Sequence, residues 1–386
     1  MPRTERAAPT EGTLERLDDV IRDVIAPLAR QVDQEASFPR EGLRALAAAG
    51  MLGLLSARED GGAGAGLRQA AAVVERLAGA CGSTAMVLLM HYAAAAVIEA
   101  HGPDEVRRAV ADGRHLTTLA FSERGSRSHF WAPVGTASPD GAYGVCLNAQ
   151  KSWVTSAGVA DSYVWSSRPL SAAGPMTLWL VPTDAPGLEV GEDYDGFGLR
   201  GNASSPVSAK DVRVPETARL STDGEGLATA LDLVLPRFLV LSAAFCTGVS
   251  EVLLTLTAKH LRTARLDHLQ QSLAEQPVAR HEYASLRLRA DASRAFLNDT
   301  LAALDTGRPD AKLRVLQVKA LAAETAAEVA DGAMRLCGGS AFRRDLGVER
   351  RFRDALAARV MAPTTEALRD FCGRIALDLS MFEEAR

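Results

Sequence analysis

The sequence predicts a mostly helical chain with a β domain at its centre: an N-terminal helical domain, a β-barrel middle domain and a C-terminal four-helix bundle. Three observations carry this reading. Apolar residues recur at helical spacing through the first part of the chain. Short β-type runs separated by Gly, Pro and Asp take over near residue 117. Long amphipathic patterns return near Gly226 and persist. The boundaries that follow are a loose tail over 1–12, a helical domain over 13–117, a β domain over 118–225 and a bundle over 226–386.

Each element has its own signal. Leu14, Leu17, Val20, Ile21, Val24 and Ile25 give one apolar helical face. Phe38-Pro39-Arg40 opens a second helix, with Pro in its first turn and Leu43, Leu46 and Met51 following. Gly-rich 61–66 reads as a loop. The Ala-rich stretch Ser83–Ala100 reads as an internal packing helix, because Ala lets neighbouring helices approach closely. Leu116–Phe121, Tyr143–Leu147, Ser162–Ser166, Met176–Val181 and Val207–Val214 read as strands. Leu227–Leu266, Pro277–Leu304, Arg314–Leu336 and Arg350–Met381 read as four long helices. Turns fall between them at Thr306-Gly307-Arg308-Pro309 and Cys337-Gly338-Gly339.

Composition narrows the class. The 386 residues are enough for a large core, and 43 Lys+Arg against 48 Asp+Glu leave a net charge of -5. No nucleic-acid footprint is expected. The pairs Arg343-Arg344 and Arg350-Arg351 read as solvated surface. Five widely spaced Cys with no CxxC pair argue against a disulfide framework or a metal site and for a reducing compartment. The N-terminus carries charges and no apolar run, so no secretory signal is expected, and no segment reaches the uninterrupted apolar length expected of a membrane span. The default location is cytoplasmic.

Several segments carry chemistry. Phe121-Ser122-Glu123-Arg124-Gly125-Ser126 leaves the first strand of the β domain, and Lys151-Ser152-Trp153-Val154-Thr155-Ser156 lies on a later strand. Gly198-Leu199-Arg200-Gly201-Asn202 and Asp211-Val212-Arg213-Val214-Pro215 close the domain. Arg265 is followed by Gln276, and Arg335-Leu336-Cys337-Gly338-Gly339-Ser340-Ala341 by Val348-Glu349 and Arg353-Asp354. Phe38-Pro39-Arg40 and Gly50-Met51-Leu52-Gly53 stand near the start. Together, and in this helix–strand–helix order, they resemble the acyl-CoA dehydrogenase superfamily over about residues 13–380.

The resemblance implies FAD and a set of contacts. Phe121 and Ser122 would meet the flavin pyrimidine ring, Ser122 standing where the family usually has Thr. Trp153 would lie against the flavin, and Thr155 would bond near its N5 and O4. An isoalloxazine needs such an aromatic wall with hydrogen bonds to its polar edge, although Trp on a strand is more often plain core. Arg265 would meet the FAD pyrophosphate, for which a guanidinium is suited, and Gln276 of the same pattern would also bind the cofactor; His268-Leu269 replaces the usual Phe-Gly between them, and a surface role for Arg265 is the alternative. Arg335, Gly338 and Gly339 would reach the FAD of a neighbouring subunit, which implies a homodimer or homotetramer. Arg335 replaces the usual Gln and Ala341 the final Gly.

The catalytic side departs from the family. There, a carboxylate removes the proton alpha to a thioester carbonyl while a hydride leaves the beta carbon. Counting from Arg353-Asp354 places Ala362 where most members have the Glu. A second position, just before an Arg on the first bundle helix, holds Pro236, followed by Arg237. The substitutes are Glu366, one turn beyond Ala362, and Asp232, Glu123, His91 and His129, each with a structural alternative: a first-turn helix carboxylate for Glu366, a solvent-facing side chain for Asp232, a structural loop residue for Glu123, packed core for His91 and exposed loop for His129. Arg127, at which the flavin loop departs from the family pattern, could join His129 and Arg237 in binding an anionic substrate group.

Three activities are open at this point. One is dehydrogenation of an acyl thioester, on CoA or an acyl-carrier protein, with an electron-transfer flavoprotein or oxygen taking the electrons. Another is a flavin monooxygenase such as an N-hydroxylase, which needs no Glu. The third is a flavin-binding subunit without turnover. Fold alone does not choose among them.

Overall fold

A computed structural model describes residues 11–126, 129–141 and 144–382. The chain divides into two compact units, described in turn. The first comprises residues up to Val73, Ser83–Gly196 and Arg200–Phe238; the second comprises Val74–Gly82, Phe197–Leu199 and the chain from Leu239 onward.

The first unit opens with α1 (Glu11–Val20), α2 (Ala26–Gln34) and α3 (Arg40–Ala48). A π-turn, Ile21–Ile25, joins α1 to α2, and a second, Ala230–Val234, joins α7 (Gly226–Thr229) to α8 (Leu235–Thr263). Both have one cause. Pro27 and Pro236 each stand two residues past the wide turn. A helical Pro has no N–H and its ring crowds the carbonyl one turn back, and a widened turn relieves that clash.

Next come α4 (Leu67–Ala80), which belongs to the second unit from Val74 onward, α5 (Gly82–His101) and α6 (Asp104–Ala111). From Cys81 to Ile98 every residue is buried, so α5 has no need of an amphipathic stripe. By length and composition, Gly82–His101 and Gly226–Thr263 could each cross a bilayer, contrary to the sequence reading, which found no such stretch; 89% and 78% of their apolar windows are buried within the fold, the pattern of core helices.

The β domain is two sheets closed over one apolar core. One has the order β1 (Thr117–Ala120), β4 (Ser162–Ser167), β5 (Thr177–Pro182); the other runs β2 (Thr136–Asp140), β3 (Gly144–Val154), β7 (Ser205–Val214), β6 (Leu188–Val190). Tyr163, Trp165 and Trp179 from the first sheet meet Val145, Leu147, Val207 and Val212 from the second. Strands β2 and β6 went unread in the sequence: Thr-Ala-Ser-Pro-Asp reads as a turn, and Leu188–Val190 is too short for a pattern.

In the second unit, α9 (Pro277–Thr306) and α10 (Ala311–Cys337) are continuous helices packed side by side. A small hairpin, β8 (Arg265–Leu266) with β9 (Gln271–Ser272), precedes them. The single helix expected over Arg350–Met381 is instead three: α11 (Val348–Ala355), α12 (Ala357–Val360) and α13 (Thr365–Ala376). Pro363 stands in the break and cannot continue a helix, and Thr364 caps α13 by accepting from the Ala367 N–H. Arg350 and Arg351 are not solvated surface. Their guanidinium groups donate to the carbonyls of Ala80 and Gly79, the end of α4, at 3.2 and 3.0 Å.

A packing test follows. A Cβ on Gly53 would lie 1.8 Å from the Ala111 carbonyl oxygen. Gly53→Ala should cost about 2 kcal/mol in urea unfolding; a change under about 0.5 kcal/mol contradicts this packing.

Candidate functional site

In the first unit the segment after β1 zips onto β3. Arg124 N–H donates to Gln150 O and Ser152 N–H to Ser122 O, each at 2.9 Å, and Glu123 and Lys151 pair as an antiparallel bridge. Their side chains form an ion pair at 2.5 Å with no exposed surface on either. Glu123 also accepts from the Val134 and Gly135 N–H groups, at 2.6 and 2.8 Å. Lys151 also donates to the Ser166 carbonyl and hydroxyl, and its ammonium lies 4.9 Å from the Trp165 ring centroid. Burial pushes the Lys151 amine down, and Glu123 opposes that. Glu123 is therefore a tether.

Beyond Lys151 the strand bulges. Lys151 pairs with Val207 and Val154 with Ser205, so β3 carries one residue more than β7 there. Trp153 takes φ 56°, in the left-handed region that an aromatic residue rarely occupies. The bulge lets Lys151 and Val154 both face inward while Trp153 stays 67% exposed. A large aromatic held outward by a strained backbone is prepared for a ligand. Thr155 follows and is buried, as is Ser126, whose Oγ makes no hydrogen bond. An exposed indole on β3, and a buried hydroxyl on the adjoining segment without a partner among the described residues, fit a flat, polar-edged ring such as a flavin.

The remaining first-unit candidates separate. His91 is fully buried; its Nδ1 accepts from the Thr117 N–H and its Nε2 lies 3.2 Å from Leu52 O, so Nε2 carries the proton and donates. Burial pushes its pKa down to about 4, leaving a neutral core histidine rather than a proton carrier. His129 is exposed, its Nδ1 3.0 Å from the Ser126 carbonyl. Arg127 lies outside the described residues. Asp232 is exposed. Pro236 is half-buried, and Arg237 donates back to Leu233 O at 2.8 Å across the π-turn. Arg237 also acts electrostatically on Glu99, a carboxyl that burial pushes up and whose Oε1 makes no hydrogen bond. An anion at Arg237 would compete with that carboxylate. The sequence reading missed Glu99, which looks like the polar end of an apolar helix.

The second unit holds the other candidates. Arg265 is exposed on the β8–β9 hairpin and donates to Gln270 O at 3.0 Å; Gln276 donates to the Gln271 side chain at 2.8 Å. Arg335 pairs with Glu282 at 2.5 Å and Asp331 at 3.1 Å. Gly338 has φ 55°, and a Cβ at either Gly338 or Gly339 would meet nothing within 4 Å, so the backbone there is open to a close approach. Ala362 is half-buried between α12 and α13. Glu366 is exposed in the first turn of α13, where its own backbone N–H and Thr364 hold its carboxyl below the usual range. That is a helix-start carboxylate and a poor base. Lys319, fully buried on α10, donates to the carbonyls of Met361 and Pro363 at 2.8 and 2.6 Å, one on each side of Ala362.

Family models for the acyl-CoA dehydrogenase N-terminal, middle and C-terminal domains match residues 11–113, 118–212 and 224–377. The chain belongs to the acyl-CoA dehydrogenase superfamily. By that membership it is an FAD-dependent oxidoreductase. It is 28% identical over 375 residues to the cyclohex-1-ene-1-carbonyl-CoA dehydrogenase of Geobacter metallireducens, covering 95% of this chain and 97% of that one. In fold it is similar to butyryl-CoA dehydrogenase from Megasphaera elsdenii, with TM-score 0.89, 20% identity and coverage of 96% and 99%. It is also similar to a prolyl acyl carrier protein oxidase, AnaB, with TM-score 0.87, 19% identity and coverage of 96% and 100%.

Within this superfamily scaffold, two outcomes test the local chemistry. Lys151→Met leaves Glu123 charged and buried, and should cost about 3–5 kcal/mol of stability and lower the flavin content of the purified protein; unchanged flavin content contradicts the tether. For His91 the folded pKa of about 4 lies below the ordinary 6.5, so the unfolded chain binds more protons between those values. Its contribution is full above pH 6.5 and is lost as pH falls towards 4, by roughly 3 kcal/mol. Urea unfolding at pH 7 and pH 5 should show the loss, and His91→Asn should flatten it. Equal slopes in both proteins would mean that His91 titrates in the fold as it does in the unfolded chain, against the lowered value.

Proposed function

We propose that this superfamily member dehydrogenates an acyl thioester between Cα and Cβ without a carboxylate at either usual base position. The observation that supports it best is Trp153 held outward on its bulge, with the Ser122 segment tethered to the same strand; the two usual base positions hold Ala362 and Pro236. Bound FAD would supply the hydride acceptor. Ser122, Trp153 and Thr155 would hold and orient it. The alpha proton leaves to water or hydroxide, since neither position 362 nor position 236 carries a carboxylate. CoA and carrier-protein thioesters are the two carriers to test, and an electron-transfer flavoprotein or oxygen is the acceptor.

A homo-oligomer belongs to the same reading. Phe342, Val278 and Leu288 of the second unit are 81%, 82% and 70% exposed, and the open Gly338-Gly339 backbone adjoins Phe342. Sedimentation of the FAD-loaded protein should show a dimer or tetramer.

The replaced bases favour one competing reading, oxygen-dependent hydroxylation. Anaerobic mixing separates the two. Butyryl-CoA, octanoyl-CoA or an acyl-carrier-protein thioester should bleach the bound flavin without oxygen. No bleaching with any of these, together with oxygen-dependent turnover once the flavin is reduced chemically, sinks the dehydrogenase. Trp153→Ala should weaken FAD binding at least tenfold, about 1.4 kcal/mol, in a fluorescence titration of the apoprotein.

A further inference from the structure

Lys319 lies in the middle of α10, with no exposed surface. The residues one turn to either side, Val315, Leu316, Ala322 and Ala323, are all buried and apolar. An amine in such a place costs several kcal/mol in desolvation, and a side chain such as Met would fill the volume without that cost. What the amine adds is a set of N–H donors. Two of them reach the carbonyl oxygens of Met361 and Pro363, at 2.8 and 2.6 Å. Those carbonyls flank one residue, Ala362. The segment is also fixed on either side: Met361 N–H donates to Ala357 O at 3.1 Å, and Thr364 caps α13 through its Oγ1, 3.3 Å from the Ala367 nitrogen.

Groups on two other elements act on the amine. The Cys246 thiol comes from α8 and the Glu366 carboxylate from α13; both oppose the burial that brings Lys319 down to about 7. Burial also pushes the Cys246 thiol up to about 12, so it stays a neutral thiol. Charged or neutral, the amine keeps at least the two N–H bonds that its two carbonyls need.

We propose that Lys319 is a positioning residue: it clamps the backbone on both sides of position 362, so that the side chain there is presented in one fixed direction. The segment is thus a built seat for a proton acceptor, kept with an alanine in it. This rests on the proposed dehydrogenation, for which the superfamily resemblance assigns the proton acceptor to position 362.

The test compares wild type, Ala362→Glu, Lys319→Met and the double variant, all FAD-loaded, in anaerobic stopped flow with the best thioester of the panel above. Ala362→Glu is expected to speed flavin reduction at least tenfold. Adding Lys319→Met should remove that gain while the thioester Kd, read from the flavin spectral shift, changes less than threefold. Amide hydrogen exchange should quicken in residues 361–368 of Lys319→Met and stay unchanged in the middle of α9. If Lys319→Met yields no flavin-containing protein, Lys319→Gln, with two amide N–H groups, replaces it in the same comparison. A double variant that keeps the gain overturns the positioning role, as does an Ala362→Glu protein that binds thioester with no gain. Wild type that shows no spectral shift with any thioester overturns the dehydrogenase reading and this inference together.

Discussion

The contact on which the proposed flavin side depends is the buried pair Glu123–Lys151. Two charges without exposed surface are tolerable only when each is fully bonded. Here Glu123 takes the ammonium and two backbone N–H groups, while Lys151 gives to the carboxylate, a carbonyl and a hydroxyl. The pair therefore does more than join two side chains. It sets the register of the Ser122 segment against β3 and ties both to β4 through Ser166. With Lys151 fixed inward, the strand can bring Val154 inward as well only by inserting a residue, and that insertion turns Trp153 outward.

The second unit applies the same device to a different end. Lys319 is a buried lysine whose amine spans two backbone carbonyls. In both places a buried amine fixes main chain, the segment beside Trp153 in one case and the turn around Ala362 in the other. What differs between the two is the residue on display. Trp153 suits its place, whereas Ala362 has no proton-accepting group. The fold alone therefore does not fix the reaction.

Much of this was legible in the sequence because local signals and global order agree. The long helices α5, α9 and α10 follow apolar runs or spacing, and the turn residues at Gly307 and Gly338 mark their ends. The flavin-side motifs were legible as short, contiguous strings. What escaped notice depends on distance along the chain. The tether joins residues 28 apart and the Lys319 clamp joins residues 42 and 44 apart, and no periodicity encodes either. Lys319 did leave a trace, a lone lysine in an otherwise apolar stripe. The π-turn at Ala230–Val234 left one too, in Pro236. Reading Arg350–Met381 as one helix gave the apolar pattern precedence over Pro363, and the proline won. His91 drew attention because histidine is chemically versatile, yet both its ring nitrogens serve backbone groups.

The central claim of the proposed dehydrogenation is that water or hydroxide, rather than a carboxylate of the protein, takes the alpha proton. The pH dependence of anaerobic flavin reduction by a saturating thioester tests it most directly. A rate that keeps rising through neutral and alkaline pH, as expected when water or hydroxide takes the proton, agrees with the account. A rate that levels off once an ordinary carboxylate is ionised, above about pH 6, would contradict it and require a carboxylate base elsewhere in the protein.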